Sequence, residues 1–386
     1  MDRRVYLAEC RDYSAASVKE AVGQVLDGFG GTGGIFRDLT HKKVFIKVNL
    51  LSAVPPERAV TTHPAVVEAL AQILIDAGAE VTIGDSGTTS AGEQALRRLY
   101  RVTGMEEVAQ RTGAQLALSV SPRRAEYPAG KVCRSFNIIS PVLDADFVIS
   151  AAKLKTHGLA YYTGAVKNLF GCIPGLEKAG THASHPDKRR FNRLLCDLCG
   201  FVAPAFSIVD GVVGMEGAGP LNGNPKEVGV IGGAVNPYAL DLAMCECVSF
   251  SPRSIPVLSF AADDRLVPRS AQELDLLGGC ETSRFKTEFV PATGGKSVGL
   301  AALALGKLAP RRLREAIRER RSPWPLFGDG CVGCGHCAEI CPRRTISLSG
   351  GKAHPDYTAC IRCYCCQEIC PAGAITLVRR RPGENV

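Results

Sequence analysis

The chain has 386 residues, 46% of them apolar and 22% charged, and a formal charge of +8 at pH 7. This composition is typical of a globular protein with one large domain and room for a small one, and it excludes a largely disordered chain. No apolar segment of signal-peptide or membrane-span length is found, and the best candidate, residues 298–306, is too short. We therefore expect a cytoplasmic protein with no membrane span.

Short β-branched runs alternate with helical patterns from residue 1 to about residue 306. The predicted strands cover residues 43–50, 80–86, 146–153, 205–214 and 227–234. The predicted helices cover residues 63–79, with an end at Gly78, and 237–250. This alternation predicts an α/β domain around a mostly parallel sheet over residues 1–306.

The glycine-rich stretch near residue 30 is a possible false signal. Gly28, Gly30 and Gly33 have the letters of a dinucleotide-binding fingerprint. They follow a predicted helix rather than a strand, which is the wrong order for that motif. We interpret the stretch as a flexible loop.

A basic segment separates the large domain from the C-terminus. Residues 307–321, KLAPRRLREAIRERR, carry much of the positive charge but no interleaved aromatic residues for base stacking. We interpret them as a solvated linker helix and expect no nucleic-acid partner; docking onto an acidic partner is the alternative. Two prolines around Trp324 extend the predicted linker to residue 327.

Two cysteine motifs give the most specific signal. CVGCGHCAEICP (331–342) and CIRCYCCQEICP (360–371) are copies of C-x2-C-x2-C-x3-C-P, the spacing of bacterial two-cluster ferredoxins. They predict two [4Fe–4S] clusters in a small α+β ferredoxin-like domain over residues 328–386. Three cysteines of one run and the fourth of the other bind each cluster, which gives the sets Cys331, Cys334, Cys337, Cys370 and Cys360, Cys363, Cys366, Cys341. Two zinc sites are the alternative, and Cys365 is interpreted as a bystander.

Motifs in the large domain resemble those of the family called domain of unknown function 362. They are IKVNL (46–50), TTHPAVVEAL (61–70), IGDS (83–86), KLKTH with TGAVKNLFGCIPG (153–175), DGVVGMEGAGP (210–220) and PYALD (237–241). The resemblance implies a ferredoxin-like module, which members of that family often carry, but it implies no particular reaction.

Polar residues follow several predicted strands, at the edge where ligands of parallel sheets bind. They are Asn49, Asp85, Ser86, the segment from Lys153 to His157, and Asp210. Together with Lys167 and Asn168, the lysines and the imidazole predict a pocket for an anionic group such as carboxylate or phosphate. Residues 163–171 can form a helix whose N-terminus would add backbone donors.

Further polar residues have structural as well as functional interpretations. Asp210, Glu216 and Asp241 are candidates to hold a cation or position a proton donor, although Asp210 also suits a turn. His63 is interpreted as a helix-start residue. His182 and His185 are interpreted as loop histidines, with a mobile lid as the alternative. Cys196 and Cys199 are interpreted as core thiols, with a third metal site as the alternative.

These patterns lead to one hypothesis and two rivals. The hypothesis is an iron–sulfur oxidoreductase that exchanges single electrons between a soluble partner protein and an anionic substrate or cofactor. Its predicted catalytic residues are His157, Lys155 and Lys167, with His157 as the proton donor. Its predicted substrate-binding residues are Lys153, Asn168, Asn49, Asp85, Ser86, Asp210 and Glu216. The rivals are a non-catalytic electron carrier or assembly factor, and an enzyme with structural clusters and non-redox acid/base chemistry.

Overall fold

A nine-stranded, mostly parallel sheet forms the centre of the large domain in the computed structural model, which describes residues 1–87, 92–184, 188–292 and 323–378. Its strands are β1 (Arg4–Glu9), β2 (Lys43–Val48), β3 (Glu80–Gly84), β4 (Gln115–Leu116), β7 (Phe147–His157), β8 (Tyr161–Thr163), β9 (Phe206–Glu216), β10 (Asn224–Ala234) and β11 (Asp275–Leu277). The order is β11-β1-β10-β9-β7-β2-β3-β4, with β8 paired to β7. Neighbours from β9 to β4 are parallel, whereas β10 is antiparallel to both β1 and β9. The predicted mostly parallel α/β domain is confirmed.

Helices cover both faces of this sheet. They are α1 (Ala15–Asp27), α2 (Gly31–Phe36), α3 (Pro64–Asp76), α4 (Glu93–Val102), α5 (Met105–Thr112), α6 (Ser140–Asp144), α7 (Ala165–Asn168), α8 (Gly175–Ser184), α9 (Lys188–Val202), α10 (Pro237–Cys247) and α11 (Pro256–Asp263). Neighbouring strand residues point to opposite faces. A Cβ added to Gly232 would meet Leu240 of α10, and one added to Gly233 would meet Val25 of α1. These two helices therefore lie on opposite sides of the sheet. A hairpin of β5 (Pro122–Glu126) and β6 (Ser135–Ile139) lies apart from the sheet.

The predicted elements occur with two differences. All five predicted strands and both helices are present, and the side chain of His63 caps α3 by accepting from Ala65 N at 3.2 Å. The strand predicted to end at residue 153 continues to His157, because β8 and β9 still pair with it there. The lysine segment is therefore strand, not the loop that follows one. The glycine stretch is also not a loop throughout, since Gly31–Phe36 forms α2.

A small cysteine-rich module follows the large domain. It contains two two-stranded antiparallel sheets, β12 (Trp324–Phe327) with β15 (Ile375–Val378) and β13 (Ile346–Ser349) with β14 (Lys352–Pro355). Two short helices, α12 (His336–Glu339) and α13 (Cys365–Ile369), complete it. The predicted linker end at residue 327 is wrong, because the Trp-Pro segment is paired as β12. The basic run at 307–321 lies outside the described residues.

Asp241 on α10 fixes the start of α7. Its carboxylate accepts from the backbone amides of Ala165 at 2.7 Å and Val166 at 3.0 Å. The predicted donors at this helix N-terminus are thus used inside the protein rather than offered to a ligand. Burial raises the pKa of Asp241 to about 7, although both amides act to lower it.

We expect Asp241→Ala to lower the free energy of unfolding by about 2–4 kcal/mol, because two buried amides lose their acceptor. Urea denaturation measures this loss. Asp263→Ala is the matched control, since Asp263 pairs with Arg269 at the surface and should cost at most about 1 kcal/mol. Equal costs for the two variants would contradict the capping role.

Candidate functional site

A cleft lies between the large domain and the cysteine-rich module. It encloses about 740 Å³, part of it open to solvent. The large domain supplies β7, α7, α8 and the segments that follow β2 and β3, and the module supplies Ile340 and α13. Six residues predicted to bind or act on a substrate line it: Asn49, Asp85, Lys155, His157, Lys167 and Asn168.

A buried ion pair between Lys47 and Asp85 supports the floor of the cleft. The Lys47 ammonium is fully buried, lies 2.9 Å from Asp85 Oδ2 and donates to the carbonyl of Val48 at 2.6 Å. Asp85 also accepts from the amide of Leu50 at 2.9 Å, which joins the ends of β2 and β3. Sequence reasoning missed Lys47; the available signal was a lysine inside the apolar strand KVFIKV.

Asn168 holds α7 against the same floor. Its Nδ2 donates to the Lys47 carbonyl at 2.7 Å and to Ser150 Oγ at 3.1 Å. Its Oδ1 accepts from Lys47 Nζ and from Asn49 Nδ2, each at 3.4 Å. Both ends of this amide are engaged by the protein, so Asn168 positions its neighbours.

Lys155 is a second buried lysine at the cleft. Its ammonium donates to Asn49 Oδ1 at 2.7 Å and to the carbonyl of Val60 at 2.6 Å. Burial lowers its pKa well below the ordinary lysine value, and the positive charge of Lys167 lowers it further. Lys155 therefore combines a lysine amine with surroundings that favour its neutral form.

Lys167 has the least engaged ammonium in the cleft. It is half-buried and lies 5.1 Å from the ring centroid of Phe170, an arrangement that suits a cation–π contact. Among the described residues it makes no hydrogen bond and no ion pair within 4.0 Å. Burial lowers its pKa, and Glu368 of α13 opposes that shift. This cation is the best placed to meet an anionic ligand.

Lys178 of α8 also lines the cleft and was missed by sequence reasoning. Its ammonium donates to the carbonyl of Gly87 and lies 3.8 Å from Asp85 Oδ1. Burial lowers its pKa to about 8. Its surrounding sequence, GLEKAGTHAS, contains no motif that marks this lysine. Three lysines thus line the cleft, with Lys47 buried beneath its floor, whereas Asp85 and Glu368 are its carboxylates.

His157 ends β7 with a defined tautomer. Its Nδ1 accepts from the backbone amides of Leu159 at 3.1 Å and Ala160 at 3.2 Å. Glu368 Oε1 lies 3.7 Å from the same nitrogen, which is too long for a hydrogen bond. Because Nδ1 is an acceptor, the proton of the neutral ring resides on Nε2.

Lys153 and Asp210 do not line the cleft. They are cross-strand partners on β7 and β9, and Lys153 Nζ lies 2.9 Å from Asp210 Oδ2 and 2.7 Å from Tyr13 Oη. The Tyr13 ring stacks on His63 with centroids 3.5 Å apart. Lys153 and Asp210, which were predicted to bind substrate, therefore form part of a buried structural network away from the cleft.

Three further candidates also lie outside the lining of the cleft. Ser86 Oγ donates to the carbonyl of Ile173 at 2.7 Å. Glu216 pairs with Lys226 at 3.0 Å, and Asp241 caps α7. Asp210, Glu216 and Asp241 have separate partners, so the predicted cation site is not assembled. Within the described residues, no three His, Cys, Asp or Glu side chains are grouped closely enough to hold a single metal ion.

Eight cysteines of the module surround two separate cavities. The outer cysteine set, Cys331, Cys334, Cys337 and Cys370, lines one of about 350 Å³. The inner cysteine set, Cys341, Cys360, Cys363 and Cys366, lines another of about 410 Å³, to which Cys365 also contributes; both volumes include space open to solvent. Each set thus combines three cysteines of one motif with one of the other.

The remaining candidates lie in the core or outside the described part. Cys196 and Cys199 on α9 belong to the main hydrophobic core, and burial raises the pKa of both thiols, which confirms the core interpretation. The side chain of His182 and all of His185 lie outside the described residues. No helix in the described ranges has the length and apolar character needed to span a membrane.

Similarity to known proteins identifies the large domain. Residues 44–246 match the family described as a domain of unknown function, DUF362. A thylakoid-associated protein of Synechocystis sp. is 32% identical over 274 residues, which are 69% of this chain and 80% of that protein. The chain belongs to the DUF362 family. The resemblance carried by the motifs of the large domain is therefore confirmed.

Two solved structures are more distant. The lactate racemase apoprotein from Thermoanaerobacterium thermosaccharolyticum is 15% identical with a TM-score of 0.41, covering 63% of this chain and 57% of that one. A structural-genomics protein from Thermotoga maritima is 12% identical with a TM-score of 0.32, covering 54% and 52%. The chain spans little more than half the length of each of these proteins.

Gly171 tests the packing of the cleft floor. A Cβ at this position would overlap Lys47 Nζ and lie 2.8 Å from Asp85 Oδ1. Gly171→Ala should therefore lower the free energy of unfolding by about 1–3 kcal/mol. Gly180→Ala on α8 is the matched control: nothing lies within 4 Å of its Cβ, so it should be neutral or stabilising. If urea denaturation gives the same result for both, the floor is not tightly packed.

Lys178 predicts a pH-dependent affinity for anions. Because its pKa is about 8, the ammonium is charged at pH 7 and loses its proton as the pH rises through that value. We expect sulfate, whose charge is constant, to bind more weakly at pH 9, where roughly a tenth of Lys178 is protonated. Calorimetric titration of Lys178→Met should show a smaller fall, while Lys226→Met, outside the cleft, should keep the full one. An unchanged fall in Lys178→Met would exclude this role.

Proposed function

We propose that this DUF362 protein is an iron–sulfur oxidoreductase that acts on an anionic substrate or cofactor in the cleft. The observation that carries the proposal is the position of a lysine-lined cleft directly against the cysteine-rich module. A pure electron carrier has no need of such a cleft, whereas an enzyme needs its substrate next to its source of electrons.

The cysteines of the module fit two [4Fe–4S] clusters. Each set supplies four thiols to its cavity, the number of ligands that such a cluster takes, and Cys365 is a fifth cysteine at the cavity of the inner set. The sharing between the two motifs is that of two-cluster ferredoxins. A cavity with thiols around it suits a group larger than a single ion. When bound, the clusters would supply one-electron transfer. In this proposal a soluble carrier protein is the electron partner.

The lysines of the cleft are the reason for proposing an anionic ligand. Lys167 has an ammonium that the described residues leave available for hydrogen bonding. Lys178 adds a second positive charge when the pH is below its pKa of about 8. Carboxylate and phosphate groups accept hydrogen bonds from such ammonium groups and neutralise their charge in a buried site. Lys47 and Asn168 hold the floor, and Lys155 is held by Asn49.

His157 is the proposed proton donor. The two amides that bind Nδ1 keep that nitrogen unprotonated and fix the ring, so the proton on Nε2 is the one available for transfer. Glu368 of the module lies near the ring on the opposite wall, with Oε1 3.7 Å from Nδ1. The module therefore contributes a carboxylate as well as the wall of the site.

Anaerobic purification followed by iron and sulfide determination tests the proposal. About eight irons and eight sulfides per chain are expected. Lys167→Ala should keep that iron content and lose sulfate binding and turnover, because it removes the main free cation of the cleft. Lys226→Met serves as a control with unchanged iron and binding.

Native mass spectrometry of the same preparation separates the alternatives. A co-purifying anionic metabolite supports the oxidoreductase and identifies its class of substrate. Full iron with no anion binding in the cleft would favour the carrier, and zinc in place of iron would overturn the iron–sulfur assignment.

A further inference from the structure

The two cysteine sets differ in their position relative to the cleft. The cavity of the inner cysteine set and the cleft share one lining residue, Cys365. The cavity of the outer cysteine set shares no described lining residue with the cleft. One side chain therefore lies between the cleft and the cavity of the inner set.

Cys365 belongs to an apolar cluster that seals this wall. It is buried and packs with Ala179 of α8, with Ile340 and Ile369 of the module, and with Cys363 of the inner set. This cluster joins the module to the large domain beside the ligand-binding lysines. The sequence suggested that Cys365 was a bystander, but its position is at the contact between two cavities.

One side of the outer cysteine set reaches solvent, although Cys337 and Cys370 are buried. Cys334 is exposed, and its neighbour Val332 is 68% exposed. Leu348, which lies 3.2 Å from the position of a Cβ on Gly335, is 48% exposed. Apolar side chains at the rim of this set leave a surface that a partner protein can cover.

We propose that a cluster held by the inner cysteine set exchanges electrons with the ligand of the cleft past Cys365. A cluster held by the outer cysteine set exchanges electrons with the soluble electron carrier. This order rests on the iron–sulfur function proposed above. Each electron that the carrier loses is gained by the ligand, so a two-electron reduction takes two deliveries from the carrier. Protons enter from His157 and from solvent.

The order predicts which reduction potential responds to a charge in the cleft. Lys167 and Cys365 both line the cleft, and Cys365 also lines the cavity of the inner set, so the positive charge of Lys167 should favour the reduced form at the inner set. Lys352 lies beside the outer set, since the next residue, Ala353, donates its amide to Cys331 Sγ at 3.4 Å. Lys352 is therefore a matched control on the other side of the module.

The test is a redox titration of the iron-loaded protein followed by electron paramagnetic resonance. In Cys334→Ala, where only the inner set is complete, Lys167→Gln should lower the potential of the remaining [4Fe–4S] signal. In Cys363→Ala, where only the outer set is complete, Lys167→Gln should have no effect and Lys352→Gln should lower the potential. The reverse pattern overturns the order.

A second measurement covers the case in which the cysteine variants fail to assemble. With both sets intact, Lys167→Gln and Lys352→Gln should each shift a different one of the two potentials. A shift of the same potential by both variants, or no shift by Lys167→Gln, overturns the order while leaving the iron–sulfur function standing. A protein that binds no iron overturns the proposed function itself.

Discussion

The burial of lysine ammonium groups is the constraint on which the cleft depends. An unpaired charge in a protein interior is strongly unfavourable, so each buried lysine has to find acceptors. Lys47 meets Asp85, Val48 and Asn168, and those bonds fix the ends of β2 and β3 and the end of α7. The same requirement, met by Asn49 and Val60, fixes Lys155 one strand away. The rigidity of the floor is thus a consequence of charge burial.

The charges that remain give the cleft its chemical character. Lys167 and Lys178 are held where burial lowers the pKa of each ammonium, and both lie near acceptors that do not fully offset them. A ligand with negative charge would relieve this imbalance, whereas a cation would increase it. One wall of the cleft belongs to the cysteine-rich module, so the proposed binding site and the proposed redox site are parts of one structure.

The sequence predicted the alternating α/β pattern because apolar strands and amphipathic helices differ in periodicity, and that difference survives without tertiary contacts. The predicted end of this strand at Lys153 was too early, because β7 continues by pairing with β8 and β9. Strand β9 lies far along the chain, and β8 is a short antiparallel strand, so neither pairing could be predicted from the local pattern. Cross-strand pairing then directs Lys153 to Asp210. Lys153 and Lys155 are two residues apart, yet Lys153 lies in a buried ion pair and Lys155 lines the cleft.

The sequence could indicate candidate residues that lie close together in one segment, but not those that only the fold brings together. Lys155, His157 and Lys167 lie within one predicted segment, and all three line the cleft. Lys178 and Glu368 could not be found in this way, because only the docking of the module brings α8 and α13 to the same cavity. The cysteine motifs gave the partition into two sets, but not which set lies nearer the cleft.

The apolar cluster around Cys365 has a thermodynamic consequence. Since it joins the module to α8 next to the cleft, the free energy of docking the module and the free energy of binding a ligand are coupled, and such coupling is reciprocal. A ligand that binds more tightly when the module is docked also makes the docking of the module on the large domain more favourable. By the same linkage, an event that loosens the module weakens the binding of the ligand.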